Sequence, residues 1–118
     1  MGATGGILTT FAQSLHNEEL DGSAVASLLC HALHAERQEA GIVDLWWYGI
    51  SVEMELGNGE HWAVECIGPN AFRLYPGVVR EESVTWLNLW VVADYTLEEL
   101  IERMNEVAAA ARGKKNDA

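Results

Sequence analysis

The sequence predicts an α+β fold: an N-terminal helical hairpin, an antiparallel meander of about four strands, and a capped C-terminal helix packed on one sheet face. Three observations carry this. Apolar residues recur at helical spacing over 7–15, 25–33 and 97–111, residues 50–56 alternate strictly, and glycine-bearing turns at Gly57-Asn58-Gly59 and Gly68-Pro69-Asn70 divide the alternating runs. A chain of 118 residues is the size of one domain. The domain is assigned to 1–113 and a disordered basic tail to 114–118.

Taken in order, Ile7, Leu8, Phe11, Ala12 and Leu15 give a short first helix that stops near His16-Asn17. The second helix opens at Asp21 or Ser23 as cap. It buries Val25, Leu28, Leu29, Ala32 and Leu33, and Gly41 stops it. From Ile42 the pattern turns to strand. Ile50, Val52, Met54 and Leu56 take one face, and Ser51, Glu53 and Glu55 the other.

Strand register follows from matching apolar residues across the turns. A three-residue loop, Gly57-Asn58-Gly59, with Gly59 left-handed, pairs Met54 with Trp62, Val52 with Val64 and Ile50 with Cys66. The second turn pairs Cys66 with Phe72 and Val64 with Leu74 inside, and Glu65 with Arg73 outside. The run "VTWLNLWVV" reads as a strand apolar on both faces. Thr96 and Glu99 then form a capping box, with Tyr95 and Leu100 as a staple. Leu97, Leu100, Ile101, Met104, Val107, Ala108 and Ala111 make the buried stripe, and Gly113 is the expected stop.

Charge is the strongest compositional signal. Eighteen acidic residues face seven basic ones, for a net charge of -11, and residues 1–111 hold seventeen acids against four bases. Such a surface repels nucleic acid and anionic lipid and favours a basic protein partner. Two cysteines are too few for a disulfide framework, and no apolar window approaches the roughly 18 residues of a membrane span. A cytoplasmic setting is expected, with no membrane partner, no direct nucleic-acid binding and no cofactor. The sequence has no phosphate loop, dinucleotide fingerprint, CxxC, HExxH or GxSxG.

The stretch "LLCHALHAE" places Cys30, His31 and His34 together. At about 100° per residue Cys30 flanks the apolar stripe, His34 lies almost opposite it and His31 points elsewhere, so they do not converge. A zinc site needs at least three protein ligands. Cys66 faces inward and His61 outward, so neither completes one. No metal site and no catalytic residue is assigned. "HWAVE" followed by "RLYP" resembles the histidine strand of transglutaminase-like and papain-like cysteine hydrolases, which follows a helix opening with the nucleophilic cysteine. Here that helix opens with Gly22-Ser23, and Tyr75 stands where an orienting residue is expected. The resemblance implies at most a hydrolase-like scaffold without the chemistry. The local density of thiol and imidazole alone carries the alternative function, a small cysteine/histidine hydrolase-like or metal-binding domain using Cys30, His34 or His61.

The outward sheet face carries Glu53, Glu55, His61 and Glu65, an acidic strip with one imidazole. Trp46, Trp47, Trp86 and Trp90 lie in the two strands that are apolar on both sides, and adjacent Trp46 and Trp47 must point to opposite faces. They are candidates for an interface, including a homodimer built through these strands. The expected function is a small acidic, non-enzymatic binding or inhibitor module for a basic protein. Immunity proteins, phage-borne antagonists of defence systems and nucleic-acid mimics share this profile of size and charge.

Overall fold

The computed structural model describes residues 6–15, 19–80, 83–86 and 94–116. In chain order these form α1 (Thr9–Ser14), α2 (Gly22–Ala35), α3 (Arg37–Ala40), β1 (Ile42–Tyr48), β2 (Ser51–Leu56), β3 (His61–Gly68), β4 (Ala71–Arg80), β5 (Ser83–Trp86) and α4 (Leu97–Asn116). The strands make one antiparallel sheet in the order β1-β2-β3-β4-β5. The fold is α+β, with an N-terminal helical region, a meander and a C-terminal helix.

The first helix starts later than its apolar spacing suggests, because Leu8 takes a left-handed backbone (φ 70°). Ile7 and Leu8 are nonetheless fully buried. Their N–H groups are satisfied from a distance: Ile7 donates to Asn105 Oδ1 on α4 at 2.8 Å and Leu8 to Glu36 Oε1 at 2.9 Å. The expected stop at His16-Asn17 lies outside the described residues. Helix α2 is capped by Asp21, whose Oδ1 accepts the Ala24 N–H at 2.9 Å. After the bend at Glu36, the short α3 closes on Gly41 in the left-handed conformation (φ 72°).

The meander has the expected register. Met54 pairs with Trp62, Val52 with Val64, Cys66 with Phe72, Val64 with Leu74 and Glu65 with Arg73. The Leu56 N–H reaches the Glu60 carbonyl at 2.8 Å across Gly57-Asn58-Gly59, with Gly59 at φ 89°. The sheet gains a fifth strand because Gly49 (φ 62°) and Ile50 make a two-residue turn that folds β1 back on β2, pairing Tyr48 with Ser51. Glycine first and an ordinary residue second is the type II′ pattern.

One core lies between the inner sheet face and the helices. Val52, Met54, Leu56, Val64, Cys66, Phe72 and Leu74 meet Val25, Leu29 and Leu33 of α2, Phe11 of α1, and Leu100, Met104, Val107, Ala108 and Ala111 of α4. The capping box of α4 is formed. The Thr96 N–H donates to Glu99 Oε1 at 2.8 Å and the Glu99 N–H to Thr96 Oγ1 at 3.2 Å. The stop expected at Gly113 is not made, and α4 continues to Asn116. A single glycine costs about 1 kcal/mol against alanine in a helix, and here it follows the alanine run 108–111, the best helix former.

Candidate functional site: the outer sheet face

With α2 and α4 on the inner face, the alternation of each strand determines what stands on the other side. The outer face reads in three rows across the sheet: Asp44, Glu55, His61 and Gly77; Trp46, Glu53, Ala63 and Tyr75; Tyr48, Ser51, Glu65 and Arg73. The four residues expected there, Glu53, Glu55, His61 and Glu65, therefore do share one face. No described helix packs on it.

The strip divides electrostatically. Glu65 is compensated: Arg73 Nη1 lies 3.5 Å from its Oε1, and the Tyr75 hydroxyl donates to the same oxygen at 3.3 Å. Arg73 is also anchored by Nε to Asp94 Oδ1 at 2.8 Å, and this hydrogen bond holds the guanidinium above its ordinary pKa. Burial first, and the Glu65 carboxylate second, push the Tyr75 phenol up, so it remains a donor. Glu53 and Glu55 have no described cationic side chain of Lys or Arg within ion-pair range. Glu53 Oε1 accepts the Trp46 indole N–H at 2.5 Å. Glu55 Oε1 lies 3.9 Å from His61 Nε2, too far for a hydrogen bond. Asp44 stands directly across from Glu55 and adds a third carboxylate to this end.

His61 is mostly covered, with 11% of its side chain exposed, and its buried Nδ1 has no partner among the described residues. The tryptophans separate as the strand period requires. Trp46 stands on the outer face and Trp47 on the inner one, in the row of Val52, Val64 and Leu74. Both remain open, at 36% and 45% exposure, on the edge strand of the sheet. Trp86 ends β5 opposite Gly77, and its side chain is not described. Trp90 lies outside the described residues. Trp62, by contrast, packs against the core, takes Arg103 over its ring at 5.5 Å and donates its indole N–H to Glu60 at 3.0 Å.

The cysteines and α2 histidines do not join this site. The sheet separates His61, on the outer face, from Cys30 and His34 on α2. The start of α2 at Gly22 abuts the Cys66 carbonyl, near the far end of β3 from His61. His31 and His34 are exposed, Cys30 is half-buried and Cys66 fully buried. Among the described residues no three His, Cys, Asp or Glu side chains are placed to hold a metal ion. Burial raises the Cys30 pKa, and it pushes the Cys66 thiol to about 12, aided by Glu65. Thiol labelling of the native protein at mildly alkaline pH is thus expected to modify Cys30 slowly and to leave Cys66 unmodified until denaturant is added. Rapid native labelling of both would contradict these environments.

Four contributors to the face escape the reading of the sequence: Asp44 across from Glu55, Trp46 as the donor to Glu53, Tyr75 as the donor to Glu65, and Asp94 as the anchor of Arg73. Tyr75 was accessible in principle, since it lies two residues past Arg73 and so on the same side of β4. The protein is thus a two-layer α+β domain with one sheet face left to acidic and aromatic side chains. Comparison with protein-family models, with curated proteins and with solved structures finds no match. Among the described residues no helix is long and apolar enough to cross a membrane.

Proposed function

We propose that the protein is a non-enzymatic binding module, of the inhibitor kind, whose outer sheet face engages a basic protein partner. One observation carries the reading: Asp44, Glu53 and Glu55 gather at one end of that face with no Lys or Arg beside them among the described residues, while Glu65 at the other end is already matched by Arg73. A net charge of -11 adds long-range attraction for a cationic surface and raises its encounter rate. Aromatic Trp46 and Tyr48 on the same face supply the apolar contact area that charge alone lacks.

The test is capture from the native host's lysate by tagged protein, eluted in steps of salt and followed by a binding titration with the partner identified. Reversal of Glu53, Glu55 and Glu65 to lysine is expected to weaken that binding at least about tenfold, because exposed charge pairs are screened and reversible. Glu65→Lys alone should act less through the partner than Glu53→Lys, since it also repels Arg73. An unchanged affinity in the triple variant would remove this face from the interaction.

A further inference from the structure

Among the described residues strand β1 is a sheet edge, and the hydrogen bonding of its neighbours shows which of its backbone groups point outward. The Leu56 N–H bonds Glu60 and the Cys66 N–H bonds the Ile50 carbonyl, so the even-numbered residues of β2 face β3 and the odd-numbered ones face β1. On β1 it follows that Asp44, Trp46 and Tyr48 bond to β2, while Leu45 and Trp47 direct N–H and C=O out of the sheet. The Leu45 N–H is met there by its neighbour's Asp44 Oδ1 at 3.0 Å, in an exposed contact.

This edge is also the most apolar exposed surface described. Val43 is 63% exposed, Trp46 36%, Trp47 45%, Tyr48 79% and Ile50 40%. At the sizes of such side chains these fractions come to roughly 500 Å² per chain, more than scattered surface residues explain. Complete burial of these side chains on two copies would remove roughly 1,000 Å², the lower bound for a specific interface.

We infer that β1 pairs antiparallel with β1 of a second copy of this chain about a two-fold axis at Trp46, joining the two sheets into one of ten strands. The register is selected by the groups available. Centred on Trp46, Leu45 and Trp47 of each copy exchange their outward N–H and C=O with Trp47 and Leu45 of the other, which uses all four outward pairs. Trp46 then meets Trp46 on the outer face, and Leu45 meets Trp47 on the inner face. Asp44 stands opposite the Tyr48 hydroxyl, which donates to it. When a Trp47 carbonyl of the second copy takes over the Leu45 N–H, Asp44 is free to accept that hydroxyl. The two neighbouring two-fold registers place Asp44 opposite Ile50, or opposite a Trp46 whose indole N–H already serves Glu53.

Charge favours a second copy over a foreign basic strand. Residues 42–50 contain one charged side chain, Asp44, in a chain of net charge -11, so two copies meet along this edge with little charge repulsion and a cationic partner finds little there to attract it. The pairing draws on Asp44, Trp46 and Tyr48, which the binding role proposed above also uses, and leaves Glu53 and Glu55 of the outer face outside the β1–β1 contact.

Sedimentation equilibrium of the full chain across the micromolar range tests it. The expected mass is twice 13.0 kDa. Tyr48→Glu sets a carboxylate against Asp44 at two symmetric places and is expected to weaken dimerisation about tenfold. The double variant Asp44→Lys/Tyr48→Glu restores it, because each lysine then faces a glutamate of the other copy. Both positions are exposed, and far-UV circular dichroism checks that the fold is kept. A wild-type monomer throughout the range overturns the pairing. A dimer indifferent to Tyr48→Glu, or one not rescued by the double variant, overturns this edge and register.

Discussion

Replacing Phe72 by alanine is expected to destabilise the protein by about 4 kcal/mol, the largest loss foreseen for a single core truncation. Phe72 is fully buried and packs edge-to-face on Phe11, with ring centroids 6.3 Å apart and planes at 68°. It therefore ties β4 to α1. Its backbone exchanges two hydrogen bonds with Tyr95, at 2.9 and 2.7 Å, immediately ahead of the capping box of α4. One side chain thus sits where three segments distant in sequence converge, and the cavity it leaves has walls that cannot collapse without moving a helix. A domain of this size has about 5–15 kcal/mol of stability in all, so a large share is lost. Urea unfolding measures it. The Phe11→Ala/Phe72→Ala double-mutant cycle should return about 0.5–1.5 kcal/mol of coupling. Additivity within a few tenths of a kcal/mol would mean that the two rings do not pack on each other.

The parts of this fold that the sequence makes legible are those where one face is apolar and the other polar. Over 50–56 and 61–74 a register slip of one residue would turn Glu53, Glu55 and Glu65 into the core, so the pairings of β2, β3 and β4 can be deduced from alternation and two turns. The four residues of the acidic strip follow from the same period. Segment 42–50 is different. It carries apolar side chains on both faces, Leu45 and Trp47 on the inner and Trp46 and Tyr48 on the outer, and without a polar–apolar period the Gly49-Ile50 turn is hidden within it. The start of α1 is hidden for another reason, since the left-handed Leu8 depends on Asn105 and Glu36, far away in the chain. What neutralises each carboxylate is likewise a tertiary matter: Trp46 reaches Glu53 only once β1 is paired, and Asp94 reaches Arg73 from the lead-in to α4.

A substitution at Gly22 separates local preference from tertiary packing most sharply. Gly22 is the first residue of α2, and on propensity alone alanine there would stabilise the helix by up to about 1 kcal/mol. The structure requires the opposite sign. A Cβ at Gly22 would stand 2.2 Å from the Cys66 carbonyl oxygen and 3.2 Å from Ile50 Cγ2, and the first of these is backbone in the middle of the sheet. That carbonyl cannot swing aside, because Cys66 is paired with Phe72 on one side and its N–H is bonded to Ile50 on the other at 2.8 Å. Relief must come from lifting the start of α2, which pulls Val25 and Leu29 away from Val64 and Cys66 and strains the Asp21 cap. Gly22→Ala is therefore expected to cost about 3 kcal/mol, at the upper end of overpacking losses, and to lower Tm by roughly 10 °C or more. Ser23→Ala, one residue on and exposed, should be near neutral and serves as the control. If Gly22→Ala matches or exceeds the wild-type Tm, α2 is not seated against Cys66, and the separation of its cysteine and histidines from the outer face loses its structural basis.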